Sequence, residues 1–201
     1  MSQAIKNSSI GQPTYELVSL FPKQGEWTEE DYFRLPETNR IIELSEGRLI
    51  ITPSPTEQHQ IILGNLYSML QAYVRTKKLG KVVLSPLDIR LWKGKIRQPD
   101  IVFMSNEHFD RTTEKIWGVP DLAVEILSEG TAKIDKEEKY LEYQKAGVFE
   151  YWIIDPFNKS IEVYILENGT YMALGKWGTG EIAKSKLLDG LEVRVDDVII
   201  I

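Results

Sequence analysis

A chain of 201 residues is long enough for one medium-sized domain with its own core. A hydrophobic share of 42% and a charged share of 27% exclude wholesale disorder. Cysteine is absent, which excludes disulfides, thiolate zinc sites and cysteine nucleophiles together and agrees with a reducing, cytoplasmic home; a net charge of -6 argues against a uniformly basic nucleic-acid binder.

In chain order, residues 1–24 read as a polar leader and residues 25–201 as the single folded domain. Thr28 and Asp31 form a capping-box pattern that opens a short helix, stopped by Pro36. Arg40–Leu44 and Arg48–Thr52 read as a hairpin around Ser45-Glu46-Gly47. From Glu57 to Lys78, apolar residues at Ile62, Leu66, Met69, Leu70 and Tyr73 make a helical stripe, closed by Lys77, Lys78 and Gly80. Val82–Trp92 and Ile101–Met104 are β-rich and separated by the turn signal Lys93-Gly94-Lys95. Asp121–Leu127 is a strand, apolar except for Glu125. Asp135–Ala146 reads as a helix with Asp135 and Glu138 as its capping box and Gly147 past its end. Tyr151–Ile154 has the unbroken apolar run of a central strand, Asn168-Gly169 joins a hairpin, and Val193–Ile201 alternates and then runs apolar, with Val198–Ile201 reading as a last core strand or else as part of an interface. The pattern is a mixed α/β domain with one central sheet. No apolar run approaches the roughly 20 residues of a membrane helix.

Charge is uneven along this order. Arg75, Lys77, Lys78, Lys81, Arg90, Lys93, Lys95 and Arg97 face a single acid, Asp88, between positions 75 and 97. Such a run is either a local phosphate-attracting surface or an ordinary solvated helix end and hairpin.

Two acids break the habit that buried strands avoid lone carboxylates. Asp100 stands at the mouth of the strand Ile101-Val102-Phe103, and Glu125 lies inside Leu122-Ala123-Val124-Glu125-Ile126. On neighbouring strands they would meet at one sheet edge, where a hard divalent cation offsets their repulsion. Each also has a plainer reading, as a strand-start residue or a structurally paired acid. Asp121 lies about 13 Å from Glu125 along an extended strand, too far to share an ion. His108 sits in a loop between Glu107 and Asp110, and Tyr140, Tyr143, Tyr151 and Trp152 read as core.

Pro99-Asp100 followed by Glu125-Ile126-Leu127 resembles the PD-(D/E)XK nuclease superfamily, the restriction-endonuclease-like fold. The ordered set of Glu43 in a hairpin, His59 opening a long helix, Arg97-Gln98-Pro99-Asp100, Pro120 through Ser128, Asp135 with Lys139, and Gly147 through Trp152 is similar to its Uma-two branch. The resemblance runs from about Trp27 to Pro156. It implies a mixed central sheet flanked by helices, a Mg²⁺ or Mn²⁺ ion held by Asp100 and Glu125, and hydrolysis of DNA phosphodiesters leaving a 5′-phosphate. Glu43 is the implied additional acid, and His59 and Arg97 are implied contacts to substrate. Leu127 stands where the superfamily has lysine, so Lys139 is the candidate replacement; otherwise Asp135 and Lys139 are a surface ion pair. The resemblance also implies a homodimer. Two other readings remain open at this point: a nuclease-fold module that binds or assembles without cleaving, which Leu127 favours, and a phosphoesterase for a small substrate.

Overall fold

Two mixed sheets and a small ribbon carry most of the chain in the computed structural model, which describes residues 21–36 and 40–200. Residues 1–20 of the expected leader lie outside the described residues. Gln24 already exchanges hydrogen bonds with Leu49, so the segment before residue 27 is tied to the first hairpin.

The capping box works as the sequence suggests. Thr28 and Asp31 cap each other at the start of α1 (Glu29–Phe33). Strands β1 (Ile42–Ser45) and β2 (Arg48–Ile51) close through Glu46 and Gly47, both at positive φ. Glycine is required at 47, because a Cβ there would meet the Gly25 carbonyl oxygen at 2.5 Å. The long helix α2 (Glu57–Lys77) is capped by Thr56 and ends at Lys78 in the left-handed conformation. It buries Ile62, Leu63, Leu66, Leu70 and Val74, the expected stripe shifted slightly around the helix.

The run Val82–Trp92 is not one strand. Pro86 has no N–H to give a ladder, and the chain leaves one sheet for the other there. The pieces are β3 (Gly80–Leu84) and β4 (Asp88–Trp92), followed by β5 (Lys95–Arg97), β6 (Ile101–Ser105) and β7 (Ile116–Trp117). Beyond them come β8 (Leu122–Ile126), β9 (Glu150–Asp155), β10 (Ser160–Glu167), β11 (Thr170–Trp177), β12 (Ile182–Lys184) and β13 (Glu192–Arg194). The expected central sheet has the order β11-β10-β9-β8-β6-β3, and a second sheet not foreseen from the sequence has the order β2-β1-β5-β4-β7. In the central sheet β8 and β9 are parallel and every other neighbouring pair is antiparallel.

Period-two alternation decides what each face covers. Ile101, Phe103, Leu122, Val124, Ile126, Trp152 and Ile154 pack with α2 on one face. Val102, Met104, Ala123, Leu127, Tyr151 and Ile153 turn to the other. There they meet Tyr143 of α3 (Tyr140–Ala146) and Ile89, Leu91 and Trp117 of the second sheet. The described helices include none long and apolar enough to cross a membrane.

Two further expectations are corrected. Asp135 caps nothing: the helix begins before it and runs through a wide π-turn, Ile134–Lys139, straight into α3. The C-terminus is not a final strand. β13 pairs with β12, and Val195 and Val198 then bury one side of the turn α4 (Val195–Val198); Ile201 lies outside the described residues.

Two buried polar clusters fasten these layers. Glu150, fully buried at the start of β9, accepts hydrogen bonds from Trp152 Nε1, Ser185 Oγ, Lys186 N and Leu187 N at 2.6–2.9 Å. Arg97 is also fully buried and donates to Glu43 of β1 at 2.8 Å and twice to Glu142 of α3 at 2.7 and 2.9 Å. Lys95, at 4% exposure, donates to Ser45 and Glu142. The basic run read from the sequence is therefore not one surface: Lys95 and Arg97 are interior, and Arg90 is paired with Glu29.

Glu150→Ala is expected to orphan two backbone N–H groups, an indole and a hydroxyl, destabilising the fold by about 3–5 kcal/mol. Urea unfolding checks the magnitude, and hydrogen exchange at residues 185–193 should rise more than in β6. At Glu142, burial alone would raise the carboxyl pKa, but the hydrogen bonds and charge of Arg97 and then Lys95 outweigh it and hold it below its ordinary 4.5. Its stabilising contribution is thus present above that value and lost as pH falls through the lowered one. Glu142→Gln should cost about 1–2 kcal/mol at neutral pH, and the gap from the unsubstituted protein should close on titration below pH 4.5.

Candidate active site

Antiparallel pairing of β6 and β8 brings the two strand acids together. Ile101 faces Val124, so one step further along the ladder Asp100 comes opposite Glu125. Asp100 Oδ2 accepts a hydrogen bond from Ile126 N at 2.7 Å, which fixes the carboxylate at the end of β8. By alternation Glu125 shares the face of Ala123 and Leu127, the one on which Tyr143 packs. Exposure is 8% at Asp100 and 3% at Glu125, so neither is an ordinary surface acid.

Lys139 enters from the π-turn. Its Nζ lies 2.9 Å from Glu125 Oε1, 3.0 Å from Asp135 Oδ1 and 3.7 Å from Glu43 Oε1. With Lys139 at 7% exposure and Asp135 at 1%, the reading of a surface ion pair is excluded. Leu127, at the position where the superfamily has lysine, packs in the core beneath the site, so the ammonium has to come from the helix side. Wide turns of this kind are rare and cluster at functional sites.

The surrounding groups are of three kinds. Tyr143 OH donates to Glu125 Oε1 at 2.6 Å, one helical turn beyond Lys139. Glu43 receives Arg97 on one oxygen and the Gln98 N–H on the other, both within 2.9 Å. His59, near the start of α2, places Nε2 3.2 Å from Asp100 Oδ2. His59 thus joins the cluster. Arg97 does not reach substrate as expected: it has no exposed surface and its guanidinium is committed to Glu43 and Glu142, so it acts on Glu43. The tyrosine was read as core, and its spacing of four from Lys139 was the available signal. Asp121 and His108 pair with each other at the opposite end of β8 and take no part.

Burial pushes the Glu125 carboxyl well above the ordinary carboxylate range; Lys139 opposes this, while Asp135, Asp100 and Glu43 add to it. Burial would lower Lys139, but Glu125, Glu43 and Asp135 outweigh it and keep the ammonium charged. At Glu43, burial raises the pKa, yet Lys139 and Arg97 hold it below its usual value. His59 is likewise raised, as Asp100 overcomes the effect of burial. Tyr143 is pushed up by burial and by Glu125, and stays a hydrogen-bond donor. Three buried carboxyls around one ammonium, with Asp100 beside Glu125, form a hard-oxygen donor set rich in carboxylate. That set fits a divalent cation of the magnesium type, which takes one or two carboxylates and completes its shell with water and phosphate oxygens. Among the described residues no three Asp, Glu, His or Cys side chains converge so as to hold an ion by themselves.

These groups line one cavity of about 640 Å³. Its wall also holds Thr52, Ser85 and Gln98, and one buried polar atom of each, together with His59 Nδ1, has no hydrogen-bond partner among the described residues.

No curated protein matches the chain. Among solved structures, a putative nuclease belonging to DUF820 from Anabaena variabilis has a similar fold, with a TM-score of 0.73 and 22% identity over 86% of this chain and 97% of that one. At that identity the likeness concerns the fold, a mixed α/β single domain. A family match over residues 29–196 takes in Glu43, His59, Asp100, Glu125, Asp135, Lys139 and Tyr143, and by it the chain belongs to the Uma2 family, described as "Putative restriction endonuclease".

Proposed function

We propose that this protein is a metal-dependent endonuclease that hydrolyses DNA phosphodiesters. One observation carries the reading: Lys139 stands 2.9 Å from Glu125 in a buried acid cluster, although the strand position where the superfamily has lysine holds Leu127. Asp100 and Glu125 are the proposed ligands of Mg²⁺ or Mn²⁺. When bound, the ion supplies charge neutralisation at the scissile phosphate and acidifies water.

The chain's own residues do the rest. Lys139 orients the attacking water and offsets the charge that develops on the phosphoryl oxygens. Asp135 and Glu43 hold its ammonium between them, and Arg97 holds Glu43. Tyr143 fixes one Glu125 oxygen, leaving the other free for the ion. His59 steadies Asp100 from the side of α2 and is in position to donate to a phosphate oxygen. The same proposal takes residues 25–201 as the nuclease domain, preceded by a leader. It takes the protein as cytoplasmic and dimeric, since cutting both strands of a duplex needs two sites.

Nicking of supercoiled plasmid tests this. Cleavage is expected with magnesium or manganese, should stop on chelation, and should be abolished by Asp100→Ala and by Glu125→Ala. Binding of manganese to the isolated protein should weaken in both variants; unchanged affinity would remove them as ligands. If the unsubstituted protein binds DNA and cuts none, the chain is instead a non-catalytic module on a nuclease fold. Lys139→Ala should lower kcat by roughly 10²–10³-fold, as loss of a preorganised charge at a developing anion does. A drop in DNA affinity with kcat intact would make Lys139 a binding residue only.

A further inference from the structure

The mouth of the cavity has an unusual chemistry for a site that meets a polyanion. Among the described wall residues Lys139 is the sole lysine or arginine, and its ammonium is already shared among carboxylates. Glu129 adds a further acid to the wall. Further lysines flank the wall, Lys133 exposed between Thr131 and Asp135 and Lys159 exposed two residues after Phe157, but neither lines it. Arg75, Lys77 and Lys78 are exposed at the far end of α2, about 27 Å from His59 at 1.5 Å per residue. Inside the cavity, neutralisation of phosphates by lysine or arginine therefore contributes little to holding substrate. The reacting groups are also recessed: Glu125 is 3% exposed and Lys139 7%. To meet them, a phosphate has to enter the cavity.

What the mouth offers instead is an aromatic ring. Phe157 lines the same cavity, is 56% exposed, and stands outside all three apolar clusters. Because β8 and β9 are parallel, the turn after β9 leaves the sheet at the edge where Glu125 and Ile126 lie. That turn is rigid. Asp155 accepts from the N–H groups of Phe157 and Asn158 at 3.1 and 3.0 Å, and from the Asn158 amide and Lys136 at 3.0 and 2.9 Å. Pro156 fixes the backbone immediately before the ring. An exposed phenylalanine held in place by its backbone loses little entropy when a flat partner covers it. The unpartnered hydroxyl and amide atoms of Thr52, Ser85 and Gln98 supply neutral hydrogen-bonding groups deeper in, beside the unpartnered Nδ1 of His59.

We propose that the site takes an unstacked nucleotide, with its base stacked on Phe157 and its phosphate lowered into the carboxylate cluster. The substrate class is DNA with locally unpaired bases; a duplex reaches the site only where a nucleotide is drawn out of the stack. This rests on the nuclease reading and narrows it.

The experiment uses two DNA duplexes of one sequence, one fully paired and one with a short unpaired run carrying 2-aminopurine. Cleavage of both is measured with magnesium, and quenching of the probe base on binding is measured separately without metal. The unsubstituted protein should cut the unpaired run at least roughly tenfold faster. Phe157→Ala should lower that preference and the binding behind it by roughly tenfold, the scale of one base–aromatic stack, while Phe157→Trp restores both and deepens the quench. The logarithmic salt dependence of binding should have a slope smaller in magnitude than about 2, the equivalent of few neutralised phosphates. Equal cleavage of both DNAs, or quenching indifferent to Phe157→Ala, overturns the proposal and leaves the nuclease reading standing. Quenching that depends on Phe157 with no cleavage of either DNA upholds the stacking site and overturns the nuclease reading alone.

Discussion

An ammonium buried among three carboxylates is held only if every carboxylate stays where it is, and that condition organises much of this molecule. Lys139 requires Glu125 on β8, Asp135 one wide turn earlier, and Glu43 on β1. Glu43 in turn keeps its place through Arg97, which has no exposure and spends its other donors on Glu142. The site is therefore joined to the second sheet by a continuous chain of charges. Buried pairs of this kind seldom stabilise a fold more than well-packed apolar groups would. Their value here is positional, since each fixes the rotamer of the next.

The crowding of carboxyls around one ammonium is what gives the cluster its chemical direction. A carboxyl pushed toward its protonated form by burial, and further by neighbouring acids, is a poor structural element, and such shifted groups gather at functional sites. Glu150 shows the contrast. It is as deeply buried as Glu125, at the start of the adjacent strand, yet four donors satisfy it and it serves to hold the C-terminal segment. Similar burial leads to opposite uses, and the difference lies in whether donors or other acids surround the carboxylate.

Much of this was legible in the sequence, and for identifiable reasons. Periodicity located α2, β8 and β9, because burial on one face or both leaves a direct mark on residue order. The lone acids at 100 and 125 stood out because apolar strands exclude them. Local reading failed where the outcome depended on long-range partners. The second sheet is invisible because β5 and β7 are short and because β1 with β5 and β4 with β7 pair across long stretches of chain. Asp135 has the residue type and place of a helix cap, and only the tertiary position of Lys139 shows that it is interior. Lys95 and Arg97 look like surface charge until Glu142 is seen to meet them. Phe157 carries no signal at all without the sheet edge from which it projects.

The parallel pairing of β8 and β9 also governs how the site is assembled along the chain. Parallel neighbours need a crossover, and the crossover between these two strands is the segment that carries Asp135, Lys139 and Tyr143. The connection that topology demands is the same piece of chain that delivers the ammonium and the phenol to Glu125. Strand, helix and strand from residue 122 to 155 thus supply most of the cluster, to which β6 adds Asp100 and β1 adds Glu43. The length of that crossover sets the register of Lys139 against Glu125, so one residue more or fewer before position 139 would turn the ammonium about 100° around the helix, away from the strand acid.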